Sequence, residues 1–259
     1  MRKQFALNGI RRMSVTERDA LASKILQKLY TSFPLVRFEA LQAVRQKSDF
    51  SSLEMIGGVA ASGRVLTSIK NFLLTEFSQG EHFVSDTRLA LKHGDFQVDF
   101  LFVEPNEFDM TADHLAYQEL GKLISKVAHV QGLSLSGAGL FYRLRDGERM
   151  IANIELANSW SHALAILEYD HARWCQGFDS LEDVFEFVAS SPLFLKSCFT
   201  VKPDEPGSRK ALRFVFADWL EHQVLPAPVT DPLTWLFQRV PSFEARYNTL
   251  VAADKKRHG

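Results

Sequence analysis

A chain of 259 residues, 46% of them hydrophobic, carries enough apolar material for one large core or two smaller ones, which excludes disorder as its main state. Thirty Lys and Arg against 31 Asp and Glu leave a formal charge of -1, so no overall field draws the chain to nucleic acid or an anionic membrane, and any such binding needs a local patch. Two cysteines, Cys175 and Cys198, are too few for a disulfide framework and read as thiols of a reducing compartment; with no apolar run long enough to cross a bilayer, a cytoplasmic protein without export or membrane anchoring is expected.

Ser14-Val15-Thr16-Glu17 has the form of a capping box and opens a predicted helix to about Tyr30, with Leu21, Ile25, Leu26 and Leu29 on one apolar stripe. Leu53 to Ile56, closed by Gly57-Gly58, fits a strand ending in a turn, or a helix end. The spacing of Val65, Leu66, Ile69, Phe72, Leu73 and Phe77 predicts a helix over 62–77 capped by Ser62. Phe83 to Leu91 reads as a strand and Phe96 to Val103 as a stronger one, with Gln97, Asp99 and Leu101 on one side and Val98, Phe100 and Phe102 on the other.

Helical periodicity returns from Ala112 to Val130, and Tyr142 to Arg145, Asp146-Gly147 and Met150 to Ile154 read as a hairpin. Beyond Trp160 the signals are helical. Ser180 begins a helix carrying Leu181, Val184, Phe185 and Val188, and the stripe Leu212, Val215, Phe216 and Trp219 of a second helix, from about Arg209 to Gln223, is expected to pack with it. Pro226, Pro228, Pro232 and Pro241 break up the tail, whose end from Asp254 is polar and expected to be mobile. Residues 1–158 thus read as a mixed α/β domain and 159–259 as an α-helical one.

The strand from Phe96 to Val103 sets one carboxylate among residues that favour burial. A buried carboxylate costs several kcal/mol unless it is paired, so Asp99 calls for a basic partner or a metal, unless it faces water or Arg at a strand edge. Ser52 and Glu54 share one face if their segment is a strand, and Asp49, at an odd offset, falls on the other.

In this order, Lys47-Ser48-Asp49-Phe50-Ser51-Ser52-Leu53-Glu54-Met55-Ile56 and Val98-Asp99-Phe100 resemble a phage and giant-virus branch of the nucleotidyltransferase superfamily, whose fold is that of the DNA polymerase β catalytic domain. In that branch the first segment looks like Lys-x-Asp-x-Gly-Asp-Leu-Asp followed by aliphatics, and the later strand reads Val-Asp-Phe. Glu107-Phe108-Asp109, Leu120 to Ile124 with Ala128-His129, Gly139 to Tyr142, and Gly177 to Val188 with Ser190-Ser191-Pro192 extend the likeness, which spans about Lys47 to Trp219. The resemblance implies an α+β fold, a nucleotidyltransferase-like mixed sheet with flanking helices, followed by an α-helical domain. It also implies chemistry in which two Mg²⁺ or Mn²⁺ ions, held by carboxylates from adjacent strands, activate a hydroxyl and neutralise the leaving pyrophosphate.

Carried over, the family's first aspartate falls on Ser52, its second on Glu54, its third on Asp99 and its preceding glycine on Ser51. Glu54 and Asp99 are therefore the candidate catalytic and metal residues, with Ser52 and Arg64 as nucleotide-binding candidates; as neighbours the two carboxylates would need a cation such as Arg64 or Lys92. A neutral serine and a lengthened carboxylate suit a small octahedral ion badly, and the superfamily's Gly-Ser phosphate cradle is missing from the preceding Glu39 to Arg45, taken as a helix. The implied function is then a degenerate nucleotidyltransferase that binds nucleotide or nucleic acid or scaffolds a protein partner, in the host cytoplasm if it is viral; the alternative is an active enzyme transferring a nucleotide from a triphosphate to a nucleic-acid or protein hydroxyl.

Gly57-Gly58 and Ser62-Gly63-Arg64 ahead of a helix could bring amides and a cation to a phosphate, although a turn and a cap account for them. His171 and Cys175 stand four apart, yet no second Cys/His pair has a finger-like spacing, so a structural role is favoured over zinc. Arg11-Arg12, Arg143 with Arg145, and Lys255-Lys256-Arg257 could meet phosphates, with Tyr142 as a stacking surface, against a default of solvated faces. Phe185, Phe187, Phe214 and Phe216, among 21 phenylalanines, point to aromatic core packing.

Overall fold

The computed structural model describes residues 6–61, 63–117, 120–199, 207–225, 229 and 231–258. The chain divides into two compact units, Met1–Gln118 and Glu119–Gly259.

The first unit opens with β1 (Met13–Ser14) and α1 (Val15–Ser32). The capping box is formed: Ser14 Oγ accepts from the Glu17 amide at 3.3 Å, and the Glu17 carboxylate accepts from the Ser14 amide at 2.9 Å. The Arg11 guanidinium donates to the same carboxylate and, with Ser14, holds it down at about 2. There follow β2 (Arg37–Ala40), β3 (Asp49–Phe50), β4 (Leu53–Gly58), α2 (Arg64–Phe77), β5 (His82–Val84), β6 (Arg88–His93), β7 (Phe96–Val103) and α3 (Phe108–Leu115). Five strands form a mixed sheet in the order β2-β4-β7-β6-β5, in which β4 and β7 run parallel and the other pairs are antiparallel. β1 pairs with β3 apart from this sheet.

One face of the sheet is dry. Leu53 and Met55 of β4, Leu89 and Leu91 of β6 and Val98, Phe100 and Phe102 of β7 form one core with Leu21, Ile25 and Leu29 of α1 and Leu66, Ile69, Leu73 and Phe77 of α2. The helix stripes follow the sequence spacing except at Val65, which is exposed, while Leu26 and Phe72 are half-buried. The opposite face is apolar only at one end, where Ile56 packs with Leu41, Phe108 and Ala112; elsewhere it carries polar residues.

Several expectations change. Gly57 and Gly58 do not turn the chain but sit inside β4, laddered to Phe102 and Val103 on one side and to Phe38 and Arg37 on the other. A Cβ on Gly57 would stand 3.0 to 3.1 Å from Phe38 and Phe102, and one on Gly58 3.0 Å from Phe108, so aromatic rings fill the space that side chains would need. The predicted Phe83–Leu91 strand is two antiparallel strands joined at Ser85 to Thr87, and Glu39 belongs to the edge strand β2 rather than to a helix. The helix expected over 112–130 is interrupted: α3 stops at Leu115, Ala116 turns to an extended ψ of 155°, and Tyr117 after it is left-handed at φ 52°. The expected Ser62 cap lies outside the described residues; the cap of α2 is Gly63.

The second unit comprises α4 (Leu120–Val130), β8 (Leu133–Ser136), β9 (Gly139–Asp146), β10 (Arg149–Ala157), α5 (Trp160–Ile166), α6 (His171–Gln176), α7 (Leu181–Ala189), α8 (Gly207–Glu221), α9 (Pro232–Arg239) and α10 (Pro241–His258). The boundary at 118/119 differs from the one the sequence places after Asn158. The hairpin β9–β10 belongs with the later helices because they hold it: Tyr142 meets Phe243 and Tyr247 of α10 with ring centroids 5.1 and 5.9 Å apart, and Arg149 makes a two-pronged pair with Asp254. That pair also anchors the tail expected to be mobile, and α10 runs on to His258. Pro232 and Pro241 start helices rather than break the chain, since a first-turn residue needs no amide donor.

Helices α7 and α8 pack together through part of their expected stripes, with Phe185 4.8 Å from Phe216 and 5.9 Å from Trp219 between ring centroids; Leu181 is exposed, and the side chain of Leu212 lies outside those described. Phe214 and Val215, however, are exposed, so α8 turns Phe216 and Leu220 inward instead.

Gly57→Ala is expected to lower stability by about 1–3 kcal/mol, the usual cost of overpacking, because its methyl meets rings on two neighbouring strands. Denaturant unfolding reads this as a lower midpoint at unchanged slope, and a variant as stable as the parent would contradict the packing described.

Candidate functional site

Parallel pairing of β4 with β7 sets Glu54 directly opposite Asp99. Strands so paired lie about 4.8 Å apart, and opposed residues share a face, so both carboxylates leave the polar side of the sheet together. Each is partly exposed, while Leu53, Met55, Val98 and Phe100 on the other side are buried. Ala90 of β6 stands opposite Asp99 on its other flank, adding no bulk beside it.

Asp99 is tied into the sheet surface. The buried Gln97, two residues earlier on the same face, donates from Nε2 to Asp99 Oδ1 at 2.8 Å, and its Oε1 accepts from the Leu7 amide at 3.2 Å. The amino-terminal segment therefore crosses the face beside the carboxylate. Asn8 is held by both oxygens of Glu81 at 2.8 Å, its carbonyl accepts from Lys92 Nζ at 3.0 Å, and the Arg11 amide donates to the Asp95 carbonyl at 3.0 Å.

Around Glu54 the chemistry is cationic. Lys47 Nζ lies 4.5 Å from the Phe50 ring centroid and the Arg18 guanidinium 4.8 Å from the same ring. Burial pushes the Lys47 ammonium below its ordinary value, the charge of Glu54 pulls it back up, and the charges of Arg12 and Arg18 press it down further. Asp49 is no spare ligand: Arg12 donates to it at 2.7 Å and holds its carboxyl below the usual range. Arg18 is paired with Asp19 at 2.7 Å and Arg12 with Asp49, which leaves Lys47 as the cation whose charge is coupled to Glu54.

The remaining sequence candidates are dispersed. Ser52 lies in the bend before β4, one residue short of the paired strand, so alternation does not fix its face. Arg64 is exposed in the first turn of α2, beyond the end of β4 away from Glu54; the four residues from Glu54 to Gly58 alone span about 13 Å at the usual strand rise. The amides of Gly57 and Gly58 face the ladders of β2 and β7 instead of a phosphate. His171 and Cys175 meet on the exposed face of α6, with Sγ 3.6 Å from Nε2. Lys47 and Gln97 are the contributors that motif reasoning passed over, and both signals were legible: a lysine at the head of the acidic segment, and an amide at i−2 on the carboxylate's face.

Among the described residues no group of three or more His, Cys, Asp or Glu is placed to hold a metal ion. A small dication needs several anionic or neutral oxygens around it, and Glu54 and Asp99 supply two carboxylates. No described helix is long and apolar enough to cross a membrane.

No protein-family model matches this chain, and neither does any curated protein. Among solved structures it is similar to the crystal structure of Leishmania infantum polymerase beta in a ternary P/T complex, at 12% sequence identity and a TM-score of 0.46; the match covers 53% of this chain and 60% of that one.

Gln97→Leu removes the acceptor of the Leu7 amide and a donor to Asp99, and is expected to cost about 1–3 kcal/mol, the penalty for leaving such groups unpaired. Hydrogen exchange at the Leu7 amide should accelerate in the same variant. Unchanged exchange there would mean that Gln97 does not anchor the segment.

Proposed function

We propose that this chain is a nucleotidyltransferase-fold protein whose metal site is degenerate, and that it acts as a nucleotide- or nucleic-acid-binding or scaffolding component. Its place in the phage and giant-virus branch is part of the same proposal and rests on the ordered segments from Lys47 to Trp219. The observation that carries it is the in-register pair Glu54 and Asp99, which keeps the geometry of a two-strand carboxylate site, with the charge of Lys47 coupled to Glu54 from within the chain. Two dications acting on a triphosphate require carboxylates to offset their charge; here the first of the family's three carboxylate positions falls on the neutral Ser52. No transfer step is therefore derived.

Calorimetric Mn²⁺ titration of the wild type, Ser52→Asp, Glu54→Asp and the double variant tests this reading. Weak binding is expected for the wild type, and the double variant should gain more than the two singles together, by a coupling of about 0.5–3 kcal/mol typical of residues that share a partner. Additive or absent gains would mean that Ser52 is not at a ligand position. Robust nucleotide transfer by the wild type from labelled triphosphates, lost in Asp99→Ala, would overturn the degenerate reading in favour of the enzyme.

A further inference from the structure

We propose that the open face of the β8–β9–β10 sheet in the second unit binds single-stranded nucleic acid, with Phe141 as a stacking platform and Arg143 and Arg145 as phosphate contacts. This deepens the binding role argued above but does not depend on the Glu54–Asp99 site.

The sheet has two unlike sides. Leu133, Leu135, Leu140, Leu144 and Ile154 are buried, and Tyr142, opposite Leu133 and Ile154, turns with them toward Phe243 and Tyr247. Tyr142 is thus spent on packing and is not the stacking surface its place beside Arg143 suggests. The alternate residues Ser134, Phe141, Arg143, Arg145, Asn153 and Glu155 occupy the other side, and every one of them is partly or fully exposed.

Chemistry narrows the occupant. Addition of a peptide strand needs a bare sheet edge, and both edges are engaged: Arg246 donates to the Glu155 carbonyl on β10 at 2.8 Å, and Ser125 Oγ donates to the Leu135 carbonyl on β8 at 3.0 Å. What remains on offer is the face. Its aromatic ring rests over Gly139, where a Cβ would come within 3.2 Å of Phe141 Cε2. Arg143 is oriented by a 2.6 Å bond from Nη2 to Ser134 Oγ, which leaves further guanidinium donors for a ligand. Phe141 and Arg143 are two residues apart on one strand, about 7 Å, so a base stacked on the ring leaves its neighbouring phosphate near the guanidinium. A flat aromatic and arginine face takes splayed bases, as single strands present them, whereas a duplex hides its base faces. Glu155, paired with Phe141 across the strands, is the acidic residue on this face and supplies a sign test.

The experiment is fluorescence anisotropy of the full chain with a labelled oligothymidine of about 12 nucleotides and a duplex of the same length, between about 50 and 200 mM salt, where the slope of affinity with salt counts phosphate contacts. The single strand should bind more tightly. Arg143→Gln with Arg145→Gln should weaken it and reduce the log–log salt slope by about 1.4, at roughly 0.7 per phosphate contact. Phe141→Ala should weaken binding by about tenfold, within the usual range for a lost base stack, and Phe141→Tyr should preserve it. Glu155→Gln should tighten binding, a gain that misfolding cannot imitate. Preference for the duplex, no binding at 50 mM salt (about the lower end of the range over which phosphate contacts are usually tested), or binding indifferent to Phe141, Arg143, Arg145 and Glu155 would overturn the assignment.

Discussion

The parallel pairing of β4 with β7 is the constraint on which the first unit depends. Because side chains alternate, one register decides both faces at once: Leu53 against Val98 and Met55 against Phe100 fall into the core, while Glu54 against Asp99 falls on the polar side. A slip of β4 by one residue would set Glu54 opposite Val98 or Phe100 on the core side and turn Leu53 and Met55 out of the core. The apolar contacts with α1 and α2 therefore hold the acidic pair in place, and the polar face inherits its geometry from the dry one.

That geometry is paired with an unusual electrostatic setting. A site made for dications is poor in local positive charge until the ions arrive. Here Lys47 and Arg18 share the Phe50 ring, and Arg12 engages Asp49. The polar face is also wired to the amino-terminal segment through Gln97, so one end of Asp99's surroundings is set by backbone far away in sequence.

Much of this was legible in the residues. The box at Ser14 and Glu17, the stripes of α1 and α2 and the alternation of Phe96 to Val103 are local patterns, and local hydrogen bonding and packing decide them. Pairing was not local. Gly57-Gly58 reads as a turn until Phe38, Phe102 and Phe108 are seen to occupy the space of the absent side chains. Ser52 seemed to share a strand with Glu54, but pairing begins only at Leu53. The helix break at Ala116 and Tyr117 rests on an extended and a left-handed residue that no propensity marks, and the unit boundary beside it could not be drawn from composition. In the second unit, Tyr142 and Phe141 are adjacent in sequence yet serve opposite sides of a sheet, which only the register of β8 and β9 assigns.

The central proposal is that Glu54 is balanced by Lys47 and that no metal joins it to Asp99. It is tested most directly by crystals of the wild type soaked in Mn²⁺ and measured at the manganese absorption edge. The account predicts no anomalous peak between Glu54 and Asp99, with the Lys47 ammonium still beside Phe50 on the Glu54 side. A peak bridging the two carboxylates, bound by oxygens in near-octahedral array, would contradict it.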